Sequence, residues 1–240
     1  FFIRGNGGTV TIENVNLINP YNGIDLSAAS TCCLRGIYGS PLHVGLTADR
    51  SFAVSRYDSI HFSPDYWTWS GLPGSPAKDG AHRSYMKKYG TAVNIKEMDG
   101  FYFGFSRISG YKKGIHFEKG ASGDDASGEL SYVSVRDCHD ALYVDNGKGF
   151  LIIGSIFEGS NFGIWGKDRS SYKLHTCVIK GGNKAISIGN GMAKLANCRV
   201  LGENDITGRR TFYREHAYAE RLPRFNYAYE RVRKPAKTTL

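Results

Sequence analysis

The feature that most constrains this chain is a repeat of roughly 22 residues. In "YVSVRDCHDALYV", "GSIFEGSNFGIWG", "HTCVIKGGNKAISI" and "NCRVLGENDITG" a short apolar strand runs into a turn rich in Gly, Asn or Asp. In the first three a second short strand follows. Anchored on Val133, Ser155, Cys177 and Cys198, the steps are 22, 22 and 21 residues. The same template extends back to Ser106, Cys33 and Val15. A fixed step this short describes one structural unit stacked on itself.

The offsets from each anchor give the phase. Two residues on stand Leu17, Ile108, Val135, Phe157, Ile179 and Val200. Nine on stand Ile24, Leu42, Ile115, Leu142, Ile164 and Ile186, and eleven on stand Leu26, Val44, Phe117, Val144 and Ile188, with Gly166 the exception. Apolar residues at alternate positions are the mark of strands with one buried face. Two strands with their turns in about 22 residues leave no room for a βαβ unit, which needs about 30. The expected fold is therefore all-β: a single-stranded, right-handed parallel β-helix, each coil about 4.8 Å above the last. Arg35 falls at an inward offset of the coil anchored on Cys33 and breaks the pattern there.

The 240 residues suit one sizeable domain, and 30 glycines suit many tight turns. The domain is expected to span 1–208. Net charge is +9, of which +6 lies in 209–240, a basic aromatic segment outside the repeat. A linker or docking strap is the expectation there, since nucleic-acid binding needs a basic stripe on a folded module. No apolar run approaches the ~18 residues of a membrane span, so no membrane partner is expected. The strand-like opening "FFIRGNGGTVTIENV" reads as cut from a longer protein. Five cysteines show no CxxC pair or metal-ligand spacing, so buried ladder thiols are expected, with a Cys177–Cys198 disulfide as the alternative.

Between Arg56 and Thr91 the repeat stops. This insertion holds Trp67 and Trp69, together with Asp65, Tyr66, Pro64, Pro73 and Pro76. Long loops in compact domains are usually functional or disordered. Aromatic faces beside carboxylates suit sugars, so Asp65, Tyr66, Trp67 and Trp69 are substrate-binding candidates. The competing reading is that they only cover the solenoid.

Offset ten lies between two inward offsets and faces out. It reads Asp25, His43, His116, Tyr143, Trp165 and Ser187, and makes His116, Tyr143 and Trp165 a second set of sugar-binding candidates. Offset twelve puts Glu118 and Asp145 on successive coils, with Asp168 near it one coil on. These three are the catalytic candidates. Stacked neighbours would stand about 5 Å apart and the outer two about 9–10 Å, compatible with either class of glycosidase. Turn capping and a calcium site are the competing readings. At offset three, Arg136, Glu158 and Lys180 read as an alternating-charge ladder.

"GTVTIENVNLINPYNGIDL", "GIYGSPLHVGL", "SRYDSIHFSPDYWTWSGLPG" and the coils from Gly100 to Gly202 carry a resemblance to the pectate-lyase-like superfamily. Within it the chain is similar to glycosyl-hydrolase-28-related and family 55 glucanase-like proteins built from tandem β-helices. "IHFSPDYW" is the most specific piece. The resemblance implies a polysaccharide partner, an extracellular or cell-surface setting, and a second β-helix domain following "RKPAKTTL". It also implies a glycoside hydrolase, with a lyase or a non-catalytic tailspike- or adhesin-like scaffold as alternatives. No cofactor or metal is expected, except calcium if the protein is a lyase. Family 28 polygalacturonases carry a GHG motif that this chain lacks, so their catalytic set is not transferred. Fold alone does not fix a reaction.

Overall fold

The computed structural model describes residues 1–206 apart from 52, 121–122 and 168–169, and the backbone of 212–213 and 218–219. Its strands all pair in parallel and form a β-solenoid of three sheet faces. The first face stacks 22–26, Val44–Ala48, Thr91–Ile95, Lys113–Phe117, 140–144, 162–166 and Lys184–Ile188, and ends on Asn204–Ile206. The second stacks 37–39, 60–62, Arg107–Ser109, 134–136, 156–159, Val178–Gly181 and Arg199–Leu201. The third stacks 31–35, 55–58, 101–104, Ser127–Ser131, Gly149–Ile153, Ser171–His175 and Met192–Ala196. The short strands Phe212–Tyr213 and Tyr218–Ala219 carry the backbone ladder past residue 208.

The inward ladders follow the alternation. Leu17, Ile108, Val135, Phe157, Ile179 and Val200 are buried, as are Ile24, Leu46, Val93, Ile115, Leu142, Ile164 and Ile186. Phe101, Phe117, Phe150 and Tyr172 run through the interior with ring centroids 5.5, 4.5 and 5.6 Å apart. Each such side chain contributes about 1.5–3 kcal/mol by leaving water. A one-residue slip would turn the whole apolar set outward, so the register is strongly fixed.

The coil after Val15 is anchored on Ile37, which pairs with Val15 directly, and not on Cys33. Cys33 pairs with Thr11 and Arg56 on the third face. This corrects the phase of that coil: Leu46 replaces Leu42 in the inward ladder, and Thr47 replaces His43 in the outward one. The irregularity at Arg35 disappears, because Arg35 lies on the outside beside Gly36, which turns the corner at φ 64°. All five cysteines are free thiols, and Cys32 is buried while its neighbour Cys33 is part-exposed.

Each coil turns from the third face to the second through one residue of left-handed conformation. The series is Asn14, Gly36, Ser59, Phe105, Tyr132, Gly154, Thr176 and Asn197, with φ between 50° and 64°. The corner frees backbone groups, and small polar side chains just past it take them up. Ser106 Oγ accepts the Ile60 N–H and donates to the Gly104 carbonyl. Ser155 Oγ does the same for Val133 and Ile153. A buried N–H left without a partner would cost about 1–3 kcal/mol.

Residues 56–62 continue the solenoid, so the true departure runs from Ser63 to Gly90. It contains α1, Asp65–Thr68, and α2, Ala81–Tyr89. Met86 and His82 of α2 are buried, and the Met86 carbonyl accepts N–H bonds from Gly90 and Lys112. The Trp67 N–H donates to Ser40 Oγ, and Arg83 pairs with Asp65. The insertion is thereby clamped to the solenoid beside the outer surface of the second face.

Candidate functional site

Two surfaces carry the residues singled out from the sequence. The first lies outside the second face. Between the insertion and the solenoid is a cleft of about 400 Å3 lined by Ser63, Asp65, Tyr66, Trp69, Arg107 and Arg136. A hollow of about 370 Å3 adjoins it, lined by His61, Phe105, Tyr132, Gly154 and Ile156. Both share Arg107 and Ser134, so they form one basin with these two side chains on its floor.

Several aromatic residues outside the core sit in ladders. Tyr38 and His61 stack at 5.0 Å and 6°, and Phe105 and Tyr132 at 5.4 Å and 13°. Rings stacked along the solenoid axis turn their faces to each other and their edges to water. Trp69 differs. It is 70% exposed, and among the described residues no ring packs on it. Its indole face is therefore open to a flat apolar ligand. Trp67, by contrast, packs edge-on against His82 with ring centroids 5.4 Å apart.

The basin's charges are uneven. Asp65 is paired with Arg83, and Arg136 with Glu158 at 3.1 Å. Among the described residues no carboxylate pairs with Arg107. Burial and the Arg107 charge both lower the His61 pKa, so this imidazole is neutral at pH 7. Burial, with Tyr38 beside it, raises the Tyr66 phenol. The cleft thus offers an open indole, a free guanidinium, the hydroxyls of Ser63, Ser109 and Ser134, and a neutral imidazole.

The second surface is the outside of the first face. Its ladder reads Asp25, Thr47, Asn94, His116, Tyr143, Trp165, Ser187 and Asp205. His116, Tyr143 and Trp165 are brought together as expected. Tyr143 and Trp165 stack at 4.2 Å and 12°, and His116 meets Tyr143 edge-on at 5.5 Å. At one end of this stack the rung beyond Trp165 is Ser187, and among the described residues no further ring packs on the indole there.

Glu118 and Asp145 fall just past paired Phe117 and Val144, on adjacent rungs. Asp145 Oδ2 accepts from His116 Nε2 at 2.7 Å and lies 4.0 Å from Lys113 Nζ. Lys113 also lies over the Tyr143 ring at 4.0 Å. Burial lowers the His116 pKa despite the Asp145 bond, and it lowers Lys113 as well. Burial acts to raise Glu118, but the Asn94 hydrogen bond, Lys96 at 3.6 Å and His116 outweigh it and leave its pKa low. A general acid needs the opposite shift. Asp168 lies outside the described residues. Among the described residues no three His, Cys, Asp or Glu side chains converge as a metal site.

The sequence pointed to Asp65, Tyr66 and Trp69 but not to His61, Arg107, Phe105 or Tyr132. A signal existed for the last two. The position before each anchor holds Asn, Ser, Thr or Gly in the other coils, and two large aromatics there are out of place.

No family model, no curated protein and no solved structure matches this chain. The parallel solenoid is consistent with a pectate-lyase-like fold, and that architecture is as far as the likeness goes.

Proposed function

We propose that this solenoid binds a polysaccharide in the basin outside its second face. The observation that carries the reading is Trp69, an exposed indole that lines the same cleft as Arg107, for which no carboxylate partner is present among the described residues. Sugar rings present C–H faces that stack on indole, while their hydroxyls donate to the Asp65 carboxylate and exchange hydrogen bonds with Ser63, Ser109 and Ser134. Tyr66 closes the same end of the cleft, and the edges of Phe105 and Tyr132 border the other. A carboxylated sugar would gain an ion pair with Arg107 that a neutral glucan cannot make.

Hydrolysis has less support than binding. Glu118 is held ionised, Asp145 is bonded to His116, and the paired carboxylates lie on a different face from the basin. The extracellular setting and the second β-helix domain accompany the polysaccharide reading as its expected context.

The test is affinity electrophoresis of the full chain in gels carrying β-glucans, pectins, rhamnogalacturonan or mannans, with reducing-sugar release followed in parallel. Retardation by one class, reduced at least tenfold by Trp69→Ala and by Arg107→Ala, supports the site. Equal migration in every gel would sink it and leave a structural scaffold. Sugar release abolished by Glu118→Gln or Asp145→Asn would restore the hydrolase.

A further inference from the structure

We propose that Asp49 and Glu97 hold a calcium ion at the corner between the first and third faces, joining two successive coils beside Gly120 of the next. The strands Val44–Ala48, Thr91–Ile95 and Lys113–Phe117 stack on the first face. Asp49, Glu97 and Gly120 follow them on three consecutive rungs, where the chain turns toward the third face.

Glu97 is only 2% exposed, and neither of its carboxylate oxygens has a hydrogen-bond partner. Arg50 donates to the Ser27 carbonyl and Lys96 pairs with Glu118, and among the described residues no cation forms an ion pair with Glu97 or Asp49. Asp49 is buried too, and its Oδ1 accepts a long 3.3 Å bond from the Glu97 N–H. The two carboxylates converge at Gly120. A Cβ added there would lie 3.0 Å from Glu97 Oε2 and 3.1 Å from Asp49 Oδ1, so the two oxygens are within about 6 Å of each other. It would also sit 2.5 Å from Glu97 Cβ, so only glycine lets the Glu97 side chain pack this closely at residue 120.

Two carboxylates taken out of water side by side repel each other and leave lone pairs unmet. A divalent cation between them removes both the repulsion and the unmet lone pairs. The donors are all hard oxygens, which excludes the soft metals. Both Glu97 oxygens are free, as bidentate ligation requires, and calcium accepts such ligation with main-chain carbonyls and water completing six to eight positions. Magnesium demands a tighter octahedron and keeps its waters, so a buried bidentate carboxylate suits it less.

The test uses the full chain stripped with EGTA and dialysed, titrated calorimetrically with calcium chloride and melted with and without the ion. One calcium site is expected, with magnesium at least tenfold weaker. The melting temperature should rise by about 5–10 °C at one hundred times the dissociation constant. Glu97→Gln and Asp49→Asn should each remove the site; the second serves if the first fails to fold. Identical melts in calcium and EGTA without binding heat would overturn the proposal, as would wild-type affinity in either variant. A gain in stability for Glu97→Gln in EGTA, with the parent indifferent to calcium, would overturn it equally.

Discussion

Phe105 and Tyr132 occupy the same corner of successive coils, both in left-handed conformation at φ 50° and 56°, and stack ring on ring at 5.4 Å. Elsewhere that corner holds Asn, Gly, Ser or Thr. The left-handed conformation costs a residue with a Cβ roughly 1–2 kcal/mol, least for Asn. Both rings stay well exposed, at 61% and 57%, so little burial offsets that cost. Strain of this kind tends to be kept where a site needs it. Tyr132→Asn should therefore leave stability within about 1 kcal/mol of the parent, or raise it, while weakening glycan retention. Denaturant melts and affinity gels on one preparation check both halves. A loss well beyond that would make the stack cement for the solenoid.

The two tryptophans of the insertion should separate cleanly. Trp69→Ala removes an exposed side chain and should move stability by no more than about 0.5 kcal/mol, with loss of glycan binding. Trp67→Ala removes the ring packed on His82 and should destabilise the insertion, by about 1–3 kcal/mol. Thermal melts of both variants beside their binding isotherms give the comparison. Equal effects of the two on stability would show that Trp69 is also structural.

His116 gives the protein a pH dependence of known sign. Its folded pKa lies below the ordinary value of 6.5, chiefly through burial. The unfolded chain therefore binds the proton more readily, and stability rises with pH across that window. The contribution is fully present above about pH 6.5 and is lost as pH falls toward the folded pKa. The melting temperature should fall from pH 7.5 to 5.5, and His116→Gln should flatten part of that slope. Burial lowers His61 and His82 in the same direction, so they add to the slope. A slope unchanged in the variant would remove His116 from the account.

In the core, Phe117 lies between Phe101 and Phe150, with centroids 5.5 and 4.5 Å away, and is fully buried. Phe117→Ala should cost about 3–5 kcal/mol through lost burial and the cavity left behind. Ser155→Ala, which strands the Val133 N–H at the corner, should cost about 1–3 kcal/mol. Urea titration of each variant reads these directly. A near-zero effect for Ser155→Ala would mean that water reaches the corner and replaces the hydroxyl.

The legible part of the site was the part that is contiguous in sequence. Asp65, Tyr66 and Trp69 stand together in a segment that interrupts a regular repeat, so composition alone exposed them. The repeat also placed His116, Tyr143 and Trp165 on one ladder. It did not reveal that Tyr143 and Trp165 spend their faces on each other. Arg107 and His61 stand 46 residues apart and pair only because the insertion between them loops out. In the coil after Val15, Cys33 imitates the Cys of later anchors, while the true anchor, Ile37, follows a glycine corner that the period does not mark.

The sequence by itself determined the class of fold. A 22-residue period with inward apolar positions can satisfy its backbone and bury its side chains only by stacking parallel coils. That information is local and repeated, so it survives without any knowledge of contacts. Tertiary structure alone decided which outward side chains meet and which charges remain unpaired. It decided that Arg107 stands free beside an open indole, and that Glu97 turns its carboxylate inward toward Asp49. Those relations depend on the phase between coils and on where one insertion lands, and the period of a repeat carries neither.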